Sequence, residues 1–171
     1  MPNWVKNEVY IDCGSPERAK EIYEQLTQSY VYYTRTKEYD TLGCVRRCES
    51  NGFTFHNIIT PGLDTMLSEE WDKGDCWYKW NIDNWGTKWD ACDVYASICG
   101  NKVEFSFETA WSEPEEVLRE LSLLFPDVIV NNDWTEEQGF GESVSYENGV
   151  RCVDDAWDIP EYEEEEEKQN E

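Results

Sequence analysis

The stretch "CDVYASICGNKVEFSFETAW", residues 92–111, constrains the fold more than any other part of the chain. A Gly100-Asn101 pair separates two apolar runs, and a two-residue turn of this kind closes a β-hairpin. With those two residues at the turn, Ile98 meets Val103, Ala96 meets Phe105 and Val94 meets Phe107. On the opposite face Ser97 meets Glu104 and Tyr95 meets Ser106, a wetter surface. A slip of one residue would turn the apolar set to solvent, so the register is strongly specified.

The flanking segments extend the pattern. "VKNEVYIDCG" alternates Val9 and Ile11 on one face and reads as a first strand. In "SPERAKEIYEQLTQ", Ser15 is placed to cap a helix, Pro16 suits its first position, and Ala19, Ile22, Tyr23 and Leu26 form one apolar stripe. "SEPEEVLRELSLLFPDV" predicts a second helix, with Ser112 and Glu115 at capping-box spacing, acids at its positive end, and Val117, Leu118, Leu121 and Leu124 facing inward until Pro126 stops it. "DVIVNND" reads as a strand, "GFGES" as a turn, and "SVSYENGVRCV" as a hairpin about Asn148-Gly149.

Strand, helix, two strands, helix, strand is the order of the ferredoxin-like split β-α-β sandwich, an α+β fold with an antiparallel sheet and two helices on one face. The aromatic-rich segment of about 30–91 is expected as an insertion. Within it "YVYYTRTKEY" and "FTFHNIITPG" read as strands, and "DTMLSEEWDKGDCWYKW" as a helix broken at Gly74. The second face of the sheet is where the insertion is expected to lie. Residues 1–153 make one domain with a C-terminal hairpin, and 154–171 an acidic tail expected to be disordered.

Charge bounds the function. The formal net charge is -24, and because ten acids and one lysine lie from Asp154 onward, residues 1–153 carry -15 of it. Such a field repels phosphate backbones and anionic lipid and attracts basic proteins. The opening "MPNWVKNEVY" lacks the apolar run of a signal peptide, and no stretch is long enough to span a bilayer. The seven cysteines are therefore expected as reduced thiols of a cytoplasmic protein. Cys44 and Cys48 form the one close pair and His56 is the sole histidine, too little for a structural zinc site. No cofactor is expected.

Several strings stand together: "MPNW", "IITPG", "NWGTKWDA", "TAWSEP" and "LFPDV". Over most of residues 1–140 they resemble the YubB-type ferredoxin-like family of uncharacterised bacteriophage and plasmid proteins. "IITPG" departs from that family's more usual proline-spaced ending, and residues 30–52 and the acidic end lie outside the resemblance. The resemblance implies the same fold and a mobile-element origin, and supplies no catalytic residues.

"NWGTKWDACD", residues 84–93, is the motif that most invites a functional reading. One possibility is structural, with Trp85, Trp89 and Trp111 clamping the insertion against the sheet and Gly86 making a tight turn. The other is a ligand pocket for a small nucleotide signal, built from Trp85, Lys88, Trp89 and Arg46 or Arg47. Catalysis finds less support. His56 sits among apolar residues, no phosphate loop is present, and a metal-dependent nuclease drawn from Asp90, Asp93 and Glu104 has no characteristic spacing behind it. The expectation is a non-enzymatic protein that binds and inhibits a host protein with a basic, nucleic-acid-binding surface, such as a defence effector. Glu104, Glu108, Glu113, Glu116 and Glu120 are its expected contacts, with Trp or Tyr anchors.

Overall fold

The computed structural model describes residues 2–35, 45–50, 52–62, 64–65 and 76–158. Its elements are β1 (Trp4–Asp12), α1 (Pro16–Thr27), β2 (Tyr30–Arg35), β3 (Val45–Ser50), a 3-10 turn (Phe55–Asn57), α2 (Cys76–Trp85), β4 (Cys92–Cys99), β5 (Lys102–Ala110), α3 (Glu115–Leu124), β6 (Ile129–Glu136), β7 (Gly141–Glu147) and β8 (Val150–Trp157). Six strands form one antiparallel sheet in the order β4-β5-β1-β6-β7-β8, and β2-β3 is a separate hairpin. The first four strands of that order reproduce the ferredoxin-like arrangement, with β1 central, and the β7-β8 hairpin widens the sheet beyond β6.

The Gly100-Asn101 hairpin forms in the expected register from Cys99↔Lys102 to Tyr95↔Ser106. Beyond Tyr95 the ladder shifts, because Asp93 adopts a left-handed backbone (φ 48) and makes a bulge. Val94 consequently does not meet Phe107; it is exposed on the edge strand, and Ile98 is exposed as well. In α1, the Ser15 hydroxyl accepts the Arg18 N–H at 3.2 Å and Ala19, Ile22 and Leu26 are buried, as the stripe predicts.

α3 departs from its sequence reading at both ends. The helix starts at Glu115 with Pro114 as its cap, because the Ser112 hydroxyl donates instead to the Gly86 carbonyl at 2.6 Å. Leu124 is exposed, and Ser122 takes the buried place, where its hydroxyl accepts the Gly149 N–H at 2.9 Å. That bond seats the Asn148-Gly149 turn on α3; both turn residues have positive φ, as a type I′ hairpin turn demands. β8 runs to Trp157, past the boundary expected at 153, and the remainder of the expected tail from residue 159 lies outside the described residues.

Among the described residues, the insertion packs on the helix side of the sheet rather than on the second face. Phe53, Phe55 and Trp85 join Val9, Ile11, Ile22, Leu26, Phe105, Phe107, Leu118 and Val130 in one core on the helix side of the sheet. The Phe53 ring stacks 4.4 Å from Phe105, and Phe55 sits edge-on to Phe107 and Trp85 at 5.6 and 5.7 Å. "FTFHNIITPG" is also not a strand. The Asp90 carboxylate takes the Thr54 hydroxyl and, at 2.8 Å, the Phe55 N–H, and the chain turns there. Val45–Ser50 supplies β3 opposite β2. Gly74 lies outside the described residues, and α2 continues to Trp85. No helix among the described residues is long and apolar enough to cross a membrane.

Candidate functional site

Placing the insertion among the helices leaves the other sheet face without a covering element among the described residues. Alternation along β1 sends Val5, Asn7, Val9 and Ile11 inward and Lys6, Glu8, Tyr10 and Asp12 outward. Strand pairing extends these outward positions into rows. Tyr95, Ser106, Glu8, Asp133, Ser143 and Asp155 form one row across all six strands. Ser97, Glu104, Tyr10, Asn131, Ser145 and Cys152 form the next. An open groove of about 330 Å³ crosses the face between Glu8, Tyr10, Tyr95, Lys102, Glu104 and Ser106.

Two features mark this face. Its large side chains are unburied, with Tyr95 at 68% and Tyr10 at 38% exposure. Its acids are also mostly without cations. Lys6 holds Glu8 at 2.9 Å, but Glu104, Glu108, Asp133 and Asp155 have no salt bridge among the described residues. On the helix side, Arg18 holds Glu21 and Asp127, Lys20 holds Glu24, and Arg119 holds Glu115 and Glu116. The field is felt locally. A hydrogen bond and charge from Glu8, with Glu108 beyond it, raise the Lys6 pKa, while partial burial and then Asp133 and Asp154 raise that of Tyr10.

The structure divides the five expected contact residues. Glu104 and Glu108 lie on the open face. Glu116 and Glu120 are half-buried on α3, on the opposite side of the sheet, and Glu113 is buried at 7% exposure. Glu113 accepts from Arg151 Nε at 3.0 Å and from Asn132 Nδ2 at 3.2 Å, so its charge is spent inside the protein. Burial pushes its carboxyl up, with Arg151 opposing. Glu8, Asp133, Tyr10 and Tyr95 were missed. The alternation of "WVKNEVYID" already put Lys6, Glu8 and Tyr10 on one side, but only pairing with β5 and β6 brings the rest beside them.

The 84–93 motif splits in two. Trp85 is 3% exposed, donates its indole N–H to the Ile59 carbonyl at 2.9 Å, and belongs to the core. Gly86 turns the chain at the end of α2 with φ 76. The Thr87 hydroxyl donates to the Ala110 carbonyl at 2.9 Å and accepts its N–H at 3.2 Å. With Ser112 bound to Gly86, "NWGTKWDA" and "TAWSEP" are thus tied to each other. Lys88 and Trp89 turn outward. The Lys88 ammonium lies 4.6 Å from the Trp89 ring centroid, 5.1 Å from Trp111 and 5.7 Å from Tyr78. Trp111 is 44% exposed on a left-handed backbone (φ 73), a conformation costing a bulky residue about 1–2 kcal/mol.

The nucleotide pocket expected from Trp85, Lys88, Trp89 and Arg46 or Arg47 is not assembled as expected. Burial of Trp85 in the core separates it from the cage around Lys88, and the side chains of Arg46 and Arg47 lie outside the described residues. His56 packs between Tyr30, stacked at 5.7 Å, and Trp85, edge-on at 4.9 Å. Asp90 is engaged by Thr54, Phe55 and Ala91, Asp93 sits in the β4 bulge, and Glu104 lies on the open face. No three His, Cys, Asp or Glu side chains among the described residues group as metal ligands. Cys13, Cys76, Cys92, Cys99 and Cys152 are free thiols, and Cys44 lies outside the described residues.

The family described as "Ferredoxin-like domain in Api92-like protein" matches residues 84–171, from the Lys88 motif through the last strand. The chain belongs to this family. A crystal structure of the protein api92 from Yersinia pseudotuberculosis superimposes with a TM-score of 0.65, covering 95% of this chain and 100% of that one at 9% identity. At that identity the likeness speaks for the fold alone, and at 95% of the chain it extends well beyond the family match. A search of curated proteins returned no match.

Proposed function

We propose that this Api92-like chain is a non-catalytic binding protein whose open sheet face takes a basic surface of a partner protein. The observation that carries the reading is that no element among the described residues covers this face, on which exposed tyrosines stand among acids that mostly lack a salt bridge. Tyr10 and Tyr95 flank the groove as rigid anchors with little conformational entropy to lose. Glu8, Glu104, Glu108 and Asp133 surround them and steer a cationic partner into register. The finer reading, in line with the resemblance to phage and plasmid proteins, is inhibition of a host defence effector whose phosphate-binding surface is covered by these carboxylates.

The test is capture from lysate of the native host at rising salt, comparing the wild type with a Glu8→Lys, Glu104→Lys, Asp133→Lys variant. A basic protein is expected to bind the wild type, to be released by salt, and to be lost by the variant. Retention of the same partner by the variant, or retention indifferent to salt, would remove the electrostatic reading.

A further inference from the structure

The Lys88 cage is not needed by the reading above and has features of a site in its own right. Three rings from three separate segments, Tyr78 of α2, Trp89 of the motif and Trp111 beyond β5, converge on one ammonium. That ammonium has no carboxylate partner among the described residues, in a chain holding 38 acids. The acids nearest in sequence are used elsewhere: Asp83 pairs with Lys79, and Asp90 holds Thr54, Phe55 and Ala91. The cation is therefore held by ring faces, the arrangement that recognises ammonium and guanidinium groups in aromatic cages. Trp111 is exposed and Lys88 half-buried, and the Trp111 backbone N–H donates to the Asn3 carbonyl at 2.9 Å, which holds the backbone from which the ring projects.

We infer that this cage is a binding site for an ammonium or guanidinium side chain of a basic partner, with Lys88 as its intramolecular plug. Exchange keeps every ring contact while returning the Lys88 ammonium to water. The cage also adjoins the open face. Trp4, 5.9 Å from Trp89, occupies the β1 position that alternation places on the side of Lys6, Glu8 and Tyr10. A cationic segment running along β1 from the acidic rows toward Trp4 would reach the cage at the end where β1 begins. The inference rests on the proposed function only for the source of the cation.

The cage is tested directly with tetramethylammonium chloride, using sodium chloride at matched ionic strength as control and indole N–H signals in heteronuclear NMR as readout. Lys88→Ala is expected to show saturable shifts of the Trp89 and Trp111 signals. The wild type should need roughly tenfold more cation or beyond, since its cage is open in only a fraction of molecules. A Lys88→Ala, Trp111→Ala variant should lose saturation. Should Lys88→Ala fail to fold, Lys88→Gln takes its place. Absence of saturable shifts in a folded plug variant overturns the cage. Saturation by the small cation with no basic protein captured from lysate overturns the partner as the source and leaves the cage standing.

Discussion

Arg151 is the residue whose replacement tests the interior most sharply. From β8 its guanidinium reaches under the sheet to Glu113 and Glu142, and its Nε also donates to the Tyr146 hydroxyl at 3.1 Å. Arg151 is 20% and Glu113 7% exposed by side chain, so the pair sits largely away from water. Burial works against the Arg151 charge, but Glu142 and Glu113 outweigh it and raise its pKa. Arg151→Met keeps the packing stem and strands the Glu113 carboxylate with Asn132 and Tyr146 as its partners. Removing one member of a buried pair costs about 3–5 kcal/mol. For a domain of this length that is a loss on the order of 10 °C in Tm. The pH dependence follows from the direction of the Glu113 shift. Its carboxyl is already raised in the folded state, first by burial, and loss of Arg151 raises it further. A raised carboxyl binds its proton more tightly folded than unfolded, so stability falls as pH climbs from the ordinary carboxylate range through the raised value. Urea unfolding followed by tryptophan fluorescence should therefore show the Arg151→Met defect at its largest near about pH 7.5 and shrinking toward about pH 5. Glu113→Gln in the same chain should restore at least half of the loss. A defect below about 1 kcal/mol, the range of exposed ion pairs, or one equal at both pH values and unrelieved in the double variant, would refute the description of Glu113 as a buried charge neutralised by Arg151.

Three further outcomes are expected. At Gly141 a Cβ would meet the Trp134 carbonyl oxygen at 2.0 Å and the Trp157 ring at 2.7 Å, so Gly141→Ala should cost about 1–3 kcal/mol in urea unfolding through overpacking against backbone that cannot retreat. Asp90→Ala removes the acceptor of the Thr54 hydroxyl and the Phe55 N–H, and should cost about 1–3 kcal/mol, with faster amide exchange at Phe55 as its local sign. Burial lowers the His56 pKa, with Asp90 opposing. The unfolded chain then takes the proton first, and stability present above about pH 6.5 is lost as pH falls toward the lowered folded value. His56→Gln should flatten that part of the stability profile.

Much of the fold could be read from local pattern. The Gly100-Asn101 and Asn148-Gly149 turns, the Ser15-Pro16 helix start, the stripe of α1 and, up to Leu121, that of α3 each rest on chemistry within a few residues, so they appear in the structure where expected. The errors fall where a distant group competes. Ser112 leaves its capping role because the Gly86 carbonyl lies beside it. "FTFHN" abandons the extended state because Asp90, 35 residues away in sequence, accepts the Phe55 N–H. Glu113 carries the charge and spacing of a surface acid, and only Arg151, from the last strand, makes it an interior one. In the candidate site the same division holds: the sign of the charge was plain, but which acids among the described residues would meet a cation, as Glu115 and Glu116 do, and which would not, as Glu104 and Asp133, was not.

By itself, then, the sequence determined a ferredoxin-like α+β scaffold, the place of its two tight hairpin turns and a surplus of negative charge, because turn geometry, apolar period and composition act at short range or need no geometry at all. Tertiary structure alone decided that Phe53, Phe55 and Trp85 of the insertion join the helix-side core, that among the described residues one sheet face is left open with Tyr10 and Tyr95 among its acids, and that Tyr78, Trp89 and Trp111 close around Lys88. Those outcomes depend on which distant side chains compete for the same buried surface and the same hydrogen-bond partners, and that competition is settled only when the whole chain has packed.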